Sequence, residues 1–451
     1  LNNRIKVVDS FPGSGKTTWA INYMNAHHQD NKFLFITPFL DEVDRIHDAC
    51  PKLNFERPSA QKGKGRKMVH LLELLQEGCN ISSTHALFAH ITDEVIEALR
   101  ISDYVLILDE VFQVMENFDM WDDVYAYRSE DFKAELTRVN IKTLVEKGFI
   151  EINNDYSVSW IDEENPLHKY DMLKKLADRG LLYIIRGSLL LWSFPTEVFR
   201  EGIFDEIYVL TYQFENQLQH YYYKYFGIMY DKYYIATNGG YTLEDFGDGK
   251  HDKEFRDAIK SKIIIVDSDK LNKVGDPYLD NNKSRQNTTL SKRWYNRYRE
   301  TAMPFLQNNM SNFFANIAGS KAGDRMWTSF APHKMDFVAK NINSKHWVAL
   351  NSRATNKYGD KTALAYMINR YMNPFYDAFF SFRNVTLDQD GFALSELVQW
   401  IFRSAIRNDE EIILYIPSWR MRSLLKAYLN NEPLDSIYKE GLVYTRRTED
   451  E

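Results

Sequence analysis

Residues 9–18, DSFPGSGKTT, bring together the side chains and backbone freedom that hold a polyphosphate. Gly13 and Gly15 let the chain curl until its N–H groups converge on phosphate oxygens. Lys16 adds a positive charge for the β- and γ-phosphates, and Thr17 adds a hydroxyl that can ligate Mg²⁺ at a helix N-terminus. The usual pattern is G-x-x-x-x-G-K-[ST]; Ser10 stands where its first Gly would be, and the core P-G-S-G-K-T is intact. Pro12, Gly13, Ser14, Gly15, Lys16, Thr17 and Thr18 are therefore the candidate nucleotide-binding residues. A second acidic motif lies downstream. Val105, Leu106, Ile107 and Leu108 lead directly into Asp109 and Glu110. In a parallel strand buried on both faces, the first polar residues appear at the carboxyl end, where ligands bind. Asp109 there can hold Mg²⁺, and Glu110 can orient or deprotonate an attacking water.

These residues need a frame. The apolar run Ile5-Lys6-Val7-Val8 predicts a strand before the loop, and Trp19, Ile21, Tyr23 and Met24 predict a helix after it. Lys32-Phe33-Leu34-Phe35-Ile36 reads as a buried strand ending at Thr37-Pro38, where a hydroxyl and free amides can face a phosphate backbone or simply cap a helix. A short strand ends at Ser83-Thr84-His85-Ala86-Leu87. Residues 121–180 read as an inserted, mainly helical segment. Strands follow at 183–185 and 207–212, then the aromatic block 220–226, read as a core face. Residues 239–250 read as a loop or small hairpin. Ile263-Ile264-Ile265-Val266 opens a second α/β lobe, with further strands at 347–350 and 411–416. Residues 394–407 have helical spacing, and Gln399, Arg403 and Arg407 at i, i+4 and i+8 share one face, where guanidinium groups suit a γ-phosphate.

The chain has 451 residues, 44% hydrophobic and 14% aromatic, so two or more domains with ample cores are expected. Its net charge of −7 means that any nucleic acid must be held by local basic patches. Such patches exist at Lys62, Lys64, Arg66 and Lys67 and across residues 281–299. Two distant cysteines, Cys50 and Cys79, exclude a disulfide framework or a four-cysteine zinc site. No signal peptide or membrane-spanning run is seen, so the expectation is a soluble protein of a reducing cytoplasm, the host's if phage-encoded.

In this order the motifs resemble those of superfamily 2 helicases, most of all the helicase and ATPase proteins of tailed bacteriophages. Residues 9–17 resemble motif I, Thr37-Pro38-Phe39-Leu40 motif Ia, and Asp109-Glu110 motif II. Ser83-Thr84-His85-Ala86-Leu87 resembles the element that contacts the nucleic-acid backbone. Gly187-Ser188 and Trp192-Ser193 stand where motif III would be, residues 351–356 resemble motif V, and Gln399 to Arg407 resembles motif VI. The last departs from the pattern, with Phe402 in place of a Gly and Arg407 one place late.

The resemblance implies an α/β fold of two RecA-like lobes, residues 1–225 with the insert and 226–451, with ATP and Mg²⁺ between them. It implies that Lys16, Thr17, Asp109 and Gln399 serve the nucleotide and its metal. Glu110 would act on water, and Arg403 or Arg407 on transition-state charge. Thr37, Pro38, Thr84, His85, Arg353, Thr355 and Asn356 would grip single-stranded, forked or branched DNA. Replication or recombination proteins are the implied partners. Two rival readings are a terminase-like packaging motor, which needs acids beyond Asp267 and Asp269 for a nuclease site, and a nucleotide-binding scaffold or loader.

Overall fold

The computed structural model describes residues 5–117, 141–162, 170–185, 189–200, 202–237, 239–275, 288–350 and 357–438. The chain divides into two compact units. One comprises residues 1–10, 14–246 and 373–387; the other comprises 11–13, 247–372 and 388–451.

The first unit is built on a seven-stranded sheet. Its strands are β1 (Ile5–Asp9), β2 (Lys32–Thr37), β3 (Ile81–Thr84), β4 (Tyr104–Asp109), and, beyond the insert, the strands Glu206–Thr211, Asp231–Ala236 and Thr242–Asp245. Smaller strands intervene in the chain: β5 (Met115–Asn117), β6 (Ile150–Ile152), β7 (Val158–Trp160), β8 (Leu182–Ile185) and β9 (Leu189–Ser193). With Glu206–Thr211 as β10, Asp231–Ala236 as β11 and Thr242–Asp245 as β12, the order is β12-β11-β1-β10-β4-β2-β3. All neighbours are parallel except β11 and β12.

The order explains the unbroken apolar runs. Val8, Phe33, Phe35, Val105, Ile107, Tyr208 and Leu210 recur at period two on one face and pack with Trp19, Ala20 and Met24 of helix α1 (Lys16–Ala26) and Ile46 of helix α2 (Leu40–Ala49). It also brings the carboxyl ends of β1, β4, β2 and β3 to one edge, so all four sequence motifs that end those strands share that edge.

In the insert's described part, helices Ile141–Glu146 and Asp171–Asp178 supply most of the regular structure, and between them lies an antiparallel hairpin of β6 and β7 that the helical reading did not include. The alternation Ile150-Glu151-Ile152 and the turn residues Asn153-Asn154-Asp155 supply the local reason. The first unit also runs past 225, because β11 pairs with β1 and carries β12 with it. The aromatic block, read as a core face, is the largely buried helix Leu218–Phe226.

The second unit has a four-stranded parallel sheet in the order β13-β16-β15-β14, with β13 Ile263–Ile265, β14 Arg325–Thr328, β15 Ala363–Tyr366 and β16 Ile412–Tyr415. Trp327, Ala363, Ala365 and Tyr415 of this sheet pack against Tyr295, Leu306 and Met310 of the helix Lys292–Asn312. Ser291 caps that helix as its position suggests, its hydroxyl accepting from the Trp294 N–H. Residues 347–350 are not a strand; Trp347 makes only an isolated bridge to Trp327. The α/β fold class, with a parallel sheet in each unit, is borne out.

Candidate active site

The phosphate loop leaves β1 at Asp9 and enters α1 at Lys16. Two side chains fix its start. The buried Asp9 carboxylate accepts from the N–H groups of Gln213 (2.7 Å) and Phe214 (3.0 Å) in the turn after β10. Ser10 donates its own N–H to Thr211 O (3.0 Å), and its hydroxyl accepts from the Ile235 N–H of β11 (2.7 Å). Ser10 thus does what a glycine could not: it ties the loop to the strands on both flanks of β1. Gly13 and Gly15 sit in the left-handed region, at φ 89° and 86°.

Lys16 is buried, and its ammonium donates to Ser10 O at 2.6 Å, curling back over its own loop. The Ser14 hydroxyl is buried in the loop with no hydrogen-bond partner among the described residues. An orphaned buried donor beside a buried ammonium is what a polyphosphate site leaves when read without its ligand.

Across the sheet edge, Thr17 Oγ1 donates to Asp109 Oδ1 at 3.3 Å. Two residues distant in sequence, one in the first turn of α1 and one at the end of β4, therefore meet. β10 lies between the two strands and sets their spacing. Burial, then the Glu110 and Glu42 carboxylates, push the Asp109 carboxyl up to about 7, while Lys16 and the Thr17 hydroxyl pull it down. Glu42, in the first turn of α2, is a third acid that motif reading passed over. Its signal was the acidic pair Asp41-Glu42 in the first turn of the helix that follows Thr37-Pro38. A divalent cation fits this donor set: a threonine hydroxyl and an aspartate at contact distance, with further negative charge behind them.

Glu110 follows Asp109 with φ 71°, a left-handed conformation uncommon for a non-glycine, and its N–H donates to Leu210 O at 2.8 Å. The turn lifts its half-buried side chain off the strand just beyond Asp109. Backbone held this way by a neighbouring strand is a feature of functional sites.

The other expected site residues divide. Thr37 is fully buried, with its hydroxyl unpartnered among the described residues, and helix α2 is capped by Phe39 without a side-chain bond. Its side chain reaches no nucleic acid in this conformation and does not cap α2, because β2 ends inside the sheet edge. Pro38, Thr84 and His85 are half-buried at the same edge. Thr84 already caps the short helix His85–Phe88, accepting from the Leu87 N–H. Arg353, Thr355 and Asn356, like Gly187 and Ser188, lie outside the described residues. Of the basic runs, Lys62 is paired with Glu56 at 3.4 Å.

The helix expected to carry Gln399, Arg403 and Arg407 on one face ends at Ile401. Phe402 caps it, and Arg407 sits on a separate 3₁₀ turn, Ala405–Asn408. Gln399 donates to Ser395 Oγ, and the buried Arg403 guanidinium donates to Ala349 O (3.0 Å) and Leu350 O (2.7 Å). Arg403 is thus spent on its own unit's backbone, whereas Arg407 is exposed. Arg403→Ala is expected to destabilise the protein by about 1–3 kcal/mol, leaving the half-buried carbonyls of Ala349 and Leu350 without their donor. Arg407→Ala is expected to leave the melting temperature unchanged, its side chain being exposed. Thermal unfolding of both variants tells the two arginines apart. Arg420 and Arg422, which follow on the helix Trp419–Leu429, are likewise buried, Arg420 against Asp390 and Arg422 donating to Ile416 O and Pro417 O.

Both cysteines are free, and burial pushes the Cys50 thiol up to about 11. No helix among the described residues is long and apolar enough to cross a membrane.

Comparison with known proteins adds a lineage. Residues 257–429 match the YonV C-terminal Rossmann-like domain, and residues 131–192 match the YonV middle domain, which spans much of the insert. Among solved structures, the chain is similar to S. tokodaii Xpd4, at 11% identity and a TM-score of 0.47, over 95% of this chain and 94% of that one. It is also similar to the DUF1998 helicase MrfA bound to DNA and AMPPNP, at 10% identity and a TM-score of 0.33, over 96% of this chain and 48% of that one. A full-length relative is the SPbeta prophage-derived protein YonV of Bacillus subtilis (strain 168), 36% identical over 439 residues, which are 95% of this chain and 99% of YonV. With the Rossmann-like match on the second unit and this relative aligned from end to end, the chain belongs to the YonV family, in keeping with the bacteriophage resemblance of its motifs.

Proposed function

We propose that the protein is an ATP hydrolase that uses its phosphate loop and Asp109-Glu110 pair to drive movement along DNA or its unwinding. The observation that carries the reading is the 3.3 Å approach of Thr17 Oγ1 to Asp109 Oδ1 beside the buried Lys16. When bound, MgATP supplies the phosphoanhydride bond and the energy of its cleavage. The loop residues from Pro12 to Thr18 cradle the phosphates through backbone N–H groups, and the Ser14 hydroxyl gains the partner it lacks. Lys16 exchanges Ser10 O for phosphate oxygen. Thr17 and Asp109 would hold Mg²⁺, which would supply positive charge against the phosphate oxygens. Glu110, held by its left-handed backbone, orients the attacking water and takes its proton. Pro38, Thr84 and His85 mark the edge assigned to the DNA backbone; contacts of that kind position the strand without reading its sequence.

A packaging motor is less well supported, since Asp267, which its nuclease site would need, is committed to Lys426 at 2.7 Å. The test of the helicase reading is strand displacement from a fluorescently labelled forked duplex. ATP-dependent displacement, lost without Mg²⁺, is expected. DNA-stimulated hydrolysis with no displacement from any fork would instead make the protein a translocase.

A further inference from the structure

The loop, Lys16 and Asp109 recognise phosphate and metal, which every nucleoside triphosphate presents alike. Selection of a nucleotide needs a group that meets the base. The first unit offers one on the flank of β1 away from β10 and β4. There β11 and β12 pair antiparallel, with Ala236 opposite Thr242. The Ser10 hydroxyl pins this strand pair to the phosphate loop through the Ile235 N–H. Tyr241, the residue before β12, lies directly over the loop. A Cβ built on Gly15 would stand 2.1 Å from Tyr241 Cε1 and 2.5 Å from Cδ1. The ring edge therefore packs on the Gly15 backbone, in space that only a glycine leaves open. Tyr241 is nonetheless 42% exposed, so much of the ring stays open above the loop.

The strand order fixes which end of a nucleotide meets it. The terminal phosphate must lie toward Asp109 and Glu110, on the β10–β4 side of β1. A triphosphate laid along the loop from that side carries its nucleoside toward β11, where Tyr241 stands. An exposed aromatic ring at that point offers a flat surface on which a base can stack.

We propose that Tyr241 is the base-stacking residue of the nucleotide site and gives it a preference for purine over pyrimidine triphosphates. The proposal rests on the phosphate-loop reading and adds to it the recognition of the base. Its chemistry needs the ring, not the hydroxyl.

The test is titration calorimetry of the full chain in Mg²⁺ with ATP, CTP and inorganic tripolyphosphate, on the wild type, Tyr241→Ala and Tyr241→Phe, with thermal unfolding as a control for folding. Tyr241→Ala is expected to weaken ATP binding about tenfold or more while leaving tripolyphosphate unchanged, and to erase the advantage of ATP over CTP. Tyr241→Phe is expected to bind all three ligands as the wild type does. Equal weakening of ATP and tripolyphosphate by Tyr241→Ala would overturn the proposal, making the ring a mere support for the loop. Tighter tripolyphosphate binding in that variant would overturn it too, making the ring a plug. So would a Phe variant as weak as the Ala variant. A wild type that binds neither ATP nor tripolyphosphate would remove the phosphate-loop reading itself, whereas ATP binding indifferent to Tyr241 would remove this proposal alone.

Discussion

Lys16→Ala is expected to lower ATP turnover by about 10²–10³-fold, the usual cost of removing one preorganised donor from a site of developing charge. The effect should be large because the ammonium is buried and already held at the loop, 2.6 Å from Ser10 O. It costs little reorganisation to swing from a carbonyl to a phosphate. Affinity for MgATP should fall as well, because the lysine acts on ground-state and transition-state charge together. The loop itself should survive, since Asp9 and Ser10 anchor it through Gln213, Phe214 and Ile235 without the lysine. Fluorescent-nucleotide binding, turnover and thermal unfolding measured side by side check this. A variant with wild-type turnover would place the chemistry outside this loop.

Glu110→Gln is expected to separate binding from chemistry. Turnover should fall by about 10²–10⁴-fold, the range for loss of a positioned general base, while MgATP still binds. The substitution keeps the side chain's shape and leaves the N–H of residue 110 on Leu210 O. It also removes one of the carboxylates that push the Asp109 carboxyl up, so Asp109 ionises more readily, which offsets part of the negative charge lost around the cation. Single-turnover hydrolysis with a parallel binding titration reads both quantities. If turnover survives, Glu110 is not the base, and Glu42 becomes the next carboxylate to test.

What the sequence made legible follows from how local each signal is. The phosphate loop was readable because Gly13, Gly15, Lys16 and Thr17 act within one turn of chain. Asp109 and Glu110 were readable because a strand buried on both faces is apolar until it ends. That Thr17 and Asp109 touch depends on β10 pairing between β1 and β4, a long-range fact with no local trace. The helix carrying Gln399 was read too long for the opposite reason. Neither Gly nor Pro marks its end at Ile401, and Arg403 turns back to capture two carbonyls that lie some fifty residues away in the chain. The burial of Thr37 left no trace in the sequence, because a residue at a strand end can lie at an edge and still be covered. β14 and β15 were passed over, each being four residues long in a region rich in aromatics and turns. Tyr241 had no signal of its own, since its meaning comes from the glycine beneath it.

The central claim, a phosphate loop and acidic pair that turn ATP hydrolysis into work on DNA, is tested most directly by the steady-state ATPase rate. It should be measured without nucleic acid and with single-stranded, duplex and forked DNA, with Lys16→Ala in parallel. The account predicts a rate that rises with DNA, depends on its structure, and disappears in the variant. A rate indifferent to every DNA, or one that persists without Lys16, would contradict it.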